Sequence, residues 1–526
     1  MAHPIWLGGK WEPASARGEI FSGTNPKTGE TLTEVYPVSN WAECDRALEH
    51  AATAFRKLLD TPRIEIAKFL RAYADKLESN AQSLAEAAAM ETGLPVSPRL
   101  KDVELPRTTN QLRQAADAAA DGGWALPTID SKNNIRSQHG AIGPVIVFGP
   151  NNFPFAYNSI AGGDFASAIA AGNPVIAKAH PAHPTTTRLM AELCAQALAE
   201  SKLPAATVQL LYHMGNEDGL RMVADERAAA TGFTGSRRAG LAIKAACDAA
   251  GKPSYLEMSS VNPVVILPGA IAERTDDIVE KFCTSCLMAT GQFCTNPGLV
   301  ILIAGPETDA FVAKVAAKFR DTPAGVLLTE GVLKSLAENV QQLVKSGAQA
   351  IAGGKRTNSP GFSFENTLLS VSGGRFLEDP LAFQTEMFGN ASLFVLARDV
   401  DQVATIIEHL EGNLTGTIFS AASNRSDEAA YQRISPALRQ KVGRLNDDKM
   451  PTGVLVTAAM NHGGPYPSTG HSGFTAVGFP ACVRRFSMLE CFDGVREEHL
   501  PETLRNQNPT GALWRFVDGI WTQGNV

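Results

Sequence analysis

Cys294 stands in Gly291-Gln-Phe-Cys294-Thr-Asn-Pro-Gly298, just past an expected helix end and flanked by Gly and Pro. That context sets a thiol on a tight loop, and a thiolate is a strong nucleophile toward carbonyl carbon. Taken alone, the residue reads more readily as a buried structural cysteine. Tyr255-Leu-Glu257-Met-Ser-Ser260 puts a carboxylate at the end of an apolar strand. Burial there would tune Glu257 upward toward general-base work, whereas a solvated strand end would leave it ordinary. In Gly149-Pro-Asn-Asn152-Phe-Pro-Phe155, an Asn amide follows another apolar strand. It could donate to a developing oxyanion, although Asn, Pro and Gly also favour a plain turn. Phe233-Thr-Gly235-Ser236-Arg237-Arg238-Ala-Gly240 links a strand to a helix. A helix N-terminus attracts phosphate, but Gly-x4-Gly is a weaker signal than a dinucleotide fingerprint. Cys283 and Cys286 form a CxxC with no second Cys/His pair at metal spacing, so no metal is expected.

These residues need elements to hold them. From about residue 140 short apolar runs alternate with helical patterns. Strands are expected at 145–148, 174–177, 208–211, 232–234 and 255–257, with helices at 186–200, near 219–224, and at 238–250. That alternation predicts an α/β chain with a doubly wound, Rossmann-like parallel sheet, which binds ligands beyond the carboxyl ends of its strands. A second α/β block opens with a strand at 264–267 and a helix at 276–290 stopped by Gly291, and runs to about residue 445. Before the first sheet, Trp6–Trp11 and Asn25–Glu30 read as strands punctuated by turns. Three helical stretches follow: one with Ala47, Leu48, Ala51, Ala52 and Phe55 on one face, one beginning near Pro62, and an Ala-rich one ending at Gly93-Leu-Pro95.

The chain has 526 residues, enough for two or three cores. Hydrophobic residues make up 44% and charged residues 19%, an ordinary globular balance that argues against disorder. A net charge of −7 without a large basic block gives no reason to expect nucleic acid or an anionic membrane. No signal peptide is evident in MAHPIWLGGKWEP, and no apolar run reaches the ~18 residues a spanning helix needs. The eight scattered cysteines are expected to be reduced, and the expected location is cytoplasmic.

Together and in this order, Asn152, Lys178, Gly235-x4-Gly240, Glu257, Cys294 and Glu386 resemble the aldehyde dehydrogenase superfamily. Further text spreads the resemblance along nearly the whole chain: Asn25-Pro-Lys-Thr-Gly-Glu30, Ala171-Gly-Asn-Pro-Val-Ile-Ala-Lys178 and Gln384-Thr-Glu-Met-Phe-Gly389. The resemblance implies that Cys294 attacks the aldehyde and that the Asn152 side chain and the Cys294 backbone N–H hold the oxyanion. Glu257 then activates the water that hydrolyses the thioester. It further implies that Lys178 and Glu386 contact cofactor hydroxyls, that Ser236 faces the pyrophosphate, and that Phe388 packs near the nicotinamide. The family fold implies a cofactor domain at 1–127 and 142–256, a catalytic domain at 257–450, and an oligomerisation arm with C-terminal tail at 128–141 and 451–526. Homodimers or homotetramers are the expected assembly.

Cofactor choice has a physical handle. NAD-preferring relatives often carry a Glu three residues after the lysine to bind the ribose 2′-OH, and here Pro181 stands there. His180, Arg237 and Arg238 could supply positive charge or donors, so NADP is expected to be preferred, with NAD accepted. A narrower resemblance is to the α-ketoglutaric semialdehyde (2,5-dioxopentanoate) dehydrogenase group. It rests on the Cys294 segment, Met258-Ser-Ser-Val-Asn-Pro263, His462-Gly-Gly-Pro-Tyr-Pro467 and the tail at 504–509 and 517–522, and NADP-dependent fatty-aldehyde enzymes share these features. The stretches 443–451 and 467–472 depart from the group's pattern. Arg107 is the expected partner of a substrate carboxylate, with a structural ion pair as its other reading. Phe155 and Phe293, with Phe153, are expected to line the substrate funnel. The rival readings are a broad medium- or long-chain aldehyde dehydrogenase and a non-catalytic relic of the fold. A relic has no need for Cys294, Glu257 and Asn152 together. A CoA-acylating enzyme generally lacks a base where Glu257 stands.

Overall fold

The computed structural model describes residues 1–14 and 18–526. Apolar runs too continuous for a half-exposed sheet fold as strands covered on both faces. Ser254–Glu257, Ala230–Thr234, Val145–Phe148, Val175–Lys178 and Val208–Leu211 lie side by side and parallel in a seven-stranded sheet. The hairpin of Ile5–Leu7 and Lys10–Glu12 extends it antiparallel beyond Val208–Leu211. Helices Gly163–Ala170, Pro184–Ala199, Asn216–Ala224 and Arg237–Ala249 connect these strands.

The strand order explains where a ligand can sit. The chain starts at Val145–Phe148, moves outward through Val175–Lys178 to Val208–Leu211, then returns to the other side of its starting strand. Between Val145–Phe148 and Ala230–Thr234 the connections diverge to opposite sides, and a crevice opens beyond the carboxyl ends. Register fixes what borders it: Phe148 pairs with Lys178 and Phe233, and Thr234 with Glu257. Asn152, Lys178, Gly235 and Glu257 therefore emerge along one edge.

A second seven-stranded sheet runs Gln349–Ala352, Thr367–Ser372, Ala391–Ala397, Leu299–Ile303, Val264–Ile266, Asn413–Phe419, Val442–Asp447, parallel except at its first strand. A kink at Arg274 (φ −139°, ψ 31°) divides Pro268–Leu287 in two: the helix expected from 276 is the part after the kink, and a short helical stretch that opens on proline, a residue suited to a first turn, precedes it. The segment 25–30, expected to include strand, is instead the turn between Ile20–Thr24 and Thr31–Ser39. A five-stranded sheet joins Thr128–Asp130 and Ile135–Ala141 to three C-terminal strands, in the order Ser487–Asp493, Ile135–Ala141, Thr128–Asp130, Arg515–Val517, Ile520–Thr522. Among the described residues no helix is long and apolar enough to cross a membrane.

Candidate active site

Cys294 follows a backbone that few sequences tolerate. Ala289, Thr290 and Gly291 have φ of 47°, 58° and 69° in succession, the left-handed region that side chains disfavour. At Gly291 a Cβ would lie 2.1 Å from the Gly389 carbonyl oxygen, so only glycine fits. Gln292 holds the turn from inside: its side chain donates to the carbonyls of Ala289 and Val326 and accepts from Leu328 N. The Asn262 amide donates to the carbonyls of Cys294 and Asn296, each at 2.9 Å. Six of the eight cysteines are buried, Cys491 is exposed, and Cys294 is partly exposed where its loop meets the cleft.

Glu257 ends its strand with 4% of its surface exposed. Its Oε1 lies 3.0 Å from Nε2 of His462, and the same Nε2 lies 3.5 Å from Cys294 Sγ. Glu257 Oε2 is buried without a partner. Burial alone would raise the Glu257 pKa, but its interactions with His462 and the neighbouring Cys294 thiol outweigh burial. The net direction is downward, so Glu257 is held ionised. Burial, followed by the charge of Glu257, pushes the Cys294 thiol well up. The resting pair is therefore a thiol beside a carboxylate. Asn152 is buried, and its amide donates to Gln292 O at 3.0 Å, which leaves its second N–H for another acceptor.

A cleft of about 840 Å³ runs from Cys294 and Glu257 past Gly235 and Ser236 to Lys178 and His180. Glu386 and Phe388 line its other wall. Burial, with no ion-pair partner among the described residues, pulls Lys178 down to about 8. Burial pushes Glu386 up to about 7 despite hydrogen bonds from Ser259 and Ser260. Ser236 caps the helix Arg237–Ala249 by accepting from Ala239 N, so that helix begins at the cleft wall. A lone buried cation, a buried carboxylate and a helix N-terminus fit the hydroxyls and pyrophosphate of a dinucleotide. Not every expected cofactor residue borders this space. Pro181 and Gly240 do not line it; a Cβ on Gly240 would meet Met258 Sδ at 2.7 Å, which makes it a packing glycine. His180 was expected to lend positive charge. Burial and the neighbouring His183 and Lys178 hold it well below its ordinary pKa, and it is neutral. Arg237 does reach the cleft, but both of its terminal nitrogens bind Glu411, at 2.8 and 2.9 Å.

On the other side of Cys294, Phe153, Tyr157, Phe293 and Val477 form an apolar cluster with Val454, Val456 and Met460. Phe293 meets Phe153 edge-on at 5.4 Å. Phe155, expected among them, is fully buried in the main core instead, because Glu104 accepts hydrogen bonds from Phe155 N and Ala156 N and fixes that turn. Arg107 lies over the rings of Phe153 and Tyr157 and donates to the Tyr157 hydroxyl at 3.1 Å.

Sequence pattern alone gives no site role to His462, Gln292 or Asn262. His462 lies far along the chain in an irregular segment, held by its backbone N–H to Thr475 Oγ1. The available signal was a histidine inside a Gly- and Pro-rich stretch, His462-Gly-Gly-Pro-Tyr-Pro467, where periodicity says nothing.

The profile of the aldehyde dehydrogenase family matches residues 11–451. The chain is 40% identical over 508 residues to alpha-ketoglutaric semialdehyde dehydrogenase 2 of Azospirillum brasilense, covering 94% of this chain and 95% of that one. It is 34% identical over 493 residues to alpha-ketoglutaric semialdehyde dehydrogenase of Acinetobacter baylyi, covering 91% and 92%. Among solved structures, an aldehyde dehydrogenase from Bacillus cereus in complex with NAD+ superposes with a TM-score of 0.79 at 19% identity, covering 94% of this chain and 96% of that one. The protein belongs to the aldehyde dehydrogenase family and is an oxidoreductase acting on aldehydes.

Proposed function

We propose that the protein oxidises 2,5-dioxopentanoate to 2-oxoglutarate through a covalent intermediate on Cys294. The observation that carries this reading is the Cys294–His462–Glu257 assembly at the mouth of the cleft, with the Asn152 amide beside it. Glu257, ionised and within reach of the thiol, accepts its proton, and the sulfur adds to the aldehyde carbon. The oxyanion takes the free Asn152 N–H and the Cys294 backbone N–H. The bound nicotinamide supplies a hydride acceptor. Glu257 passes that first proton to solvent, then removes one from the water that cleaves the thioester and returns it to the departing sulfur, releasing the acid and the thiol. Lys178, Glu386, Ser236 and Gly235 hold the cofactor, with Phe388 at its nicotinamide end.

A carboxylated aldehyde is favoured by two cations with no carboxylate partner among the described residues. Arg107 spends its hydrogen bond on Tyr157. Arg444 spends its own on the carbonyls of Pro451 and Gly453 and on Met460 Sδ. Both keep a buried Nε without a partner, and both lie close enough to Cys294 for their charges to interact. The names of the two relatives point the same way. The apolar walls of Phe153, Phe293 and Val477 favour the second reading, a medium- or long-chain aldehyde. A panel of 2,5-dioxopentanoate, succinic semialdehyde, hexanal and a long-chain aldehyde separates them: kcat/KM peaks at 2,5-dioxopentanoate on the first reading and at the apolar aldehydes on the second.

We also propose NADP as preferred cofactor with NAD accepted, because no carboxylate stands at Pro181 to repel a 2′-phosphate. With His180 neutral and Arg237 committed to Glu411, the preference should stay within about tenfold, ~1.4 kcal/mol. Steady-state kinetics with both nucleotides tests this, and a large NAD preference contradicts it. The proposed division is a cofactor domain at 1–127 and 142–256, a catalytic domain at 257–450, and an arm that joins subunits. A cytoplasmic location, proposed from eight free cysteines, is tested by fractionation.

A further inference from the structure

Glu257, Cys294 and His462 come from a strand end, a strained loop and an irregular C-terminal segment, yet their ligand atoms all lie within 4.8 Å of one another. Thiolate, imidazole and carboxylate are the donor set of zinc. Zn–S of about 2.3 Å and Zn–N of about 2.0–2.1 Å at a tetrahedral angle place sulfur and nitrogen about 3.5 Å apart. Cys294 Sγ and His462 Nε2 are 3.5 Å apart, and Nε2 to Glu257 Oε1 is 3.0 Å. Beside His462 and Cys294, Glu257 Oε2 is buried with no hydrogen-bond partner among the described residues, which leaves a carboxylate oxygen free to bind an ion. The three groups are held from outside, by Asn262 on the Cys294 carbonyl and Thr475 on the His462 backbone N–H. Cys294 opens to the cleft, which leaves a fourth position for water.

We propose that this triad is a zinc-binding site that switches the enzyme off reversibly. Zn2+ replaces the thiol proton of Cys294, which is released to solvent. His462 binds as neutral imidazole through Nε2, its hydrogen shifted to Nδ1, and Glu257 binds as carboxylate. One thiolate and one carboxylate cancel the two charges of the ion, so the buried site stays electrically neutral. The bound ion removes nucleophile and base together. The inhibition rests on the proposed role of Cys294, whereas the binding does not, and the two are read separately.

The test uses the full-length protein freed of metal. Zinc affinity is measured by competition with a chromophoric chelator, cobalt absorption reports thiolate ligation, and iodoacetamide labelling of Cys294 reports occlusion. Expected are about one tight zinc per chain and a sulfur-to-cobalt charge-transfer band lost in Cys294→Ser. Zinc should also slow Cys294 labelling. His462→Gln and Glu257→Gln should each weaken zinc by about 100-fold, while Cys491→Ser, which removes the exposed thiol, leaves it unchanged. Wild-type inhibition should follow the same affinity and reverse with chelator. Affinity unmoved by His462→Gln, or a site abolished by Cys491→Ser, overturns the proposal. Tight zinc at the triad without inhibition keeps the site but overturns the switch and, with it, the nucleophile reading. If no aldehyde is turned over while zinc still binds the triad, the proposed function fails and the site stands.

Discussion

At the scale of single residues, the assembly assigns distinct work to groups that look alike. Glu257 and Glu386 are both buried carboxylates, but Glu257 has His462 and Cys294 beside it and sits low, whereas Glu386 has only Ser259 and Ser260 and rises to about 7. As the pH falls through about 7, Glu386 gains a proton and loses part of its capacity to accept from ribose hydroxyls. Cofactor affinity should weaken over that window, and Glu386→Gln should flatten the dependence; fluorescence titration of NADP at a series of pH values measures both. Arg444→Met should raise KM for 2,5-dioxopentanoate by about 10- to 100-fold, since a hydrogen bond to a charged group is worth about 1.5–3 kcal/mol. KM for hexanal should hardly move. The placement of Cys294, Glu257 and Asn152 along the cleft was legible in the sequence, because Glu257 ends a short apolar strand, Asn152 follows one and Cys294 follows a helix stop. His462 was not assigned, since its segment carries no periodic pattern and its partners are distant in sequence. The direction of the Glu257 shift was not legible for the same reason.

At the scale of elements, three consecutive left-handed residues mark where structure is spent on positioning a thiol. Gly291→Ala should cost about 1–3 kcal/mol of stability, because it adds a Cβ at positive φ against the Gly389 carbonyl. Thermal unfolding reads that loss, and the same variant should alter the alkylation rate of Cys294. The parallel strands were readable because buried strands are continuous apolar runs. The short helical stretch ahead of the kink at Arg274 was not legible, because it looks loop-like in sequence and is held by packing under the second sheet. Phe155 was misplaced because two phenylalanines at neighbouring positions look alike in sequence. Only the hydrogen bonds to Glu104 decide which of them turns to the core.

At the scale of the molecule, the arm sheet is assembled from 128–141 and the C-terminal strands, and it leaves large apolar side chains outside. Leu489, Ile520 and Trp521 are 65%, 69% and 51% exposed. Apolar groups gathered on one arm are what a subunit interface needs. Leu489→Asp together with Trp521→Ser should shift a dimer or tetramer toward monomer in light scattering, and an unchanged mass would rule out the arm as the joint. The alternation of strands and helices made the two α/β blocks legible, whereas the return of the C-terminus to the arm depends on strand pairing across the whole chain.

The most direct measurement follows nicotinamide reduction when 2,5-dioxopentanoate and NADP are mixed with the wild-type protein and with Cys294→Ala. The wild type should turn over the aldehyde, and the variant should bind NADP without turnover. Turnover surviving in Cys294→Ala would contradict the nucleophile role of Cys294.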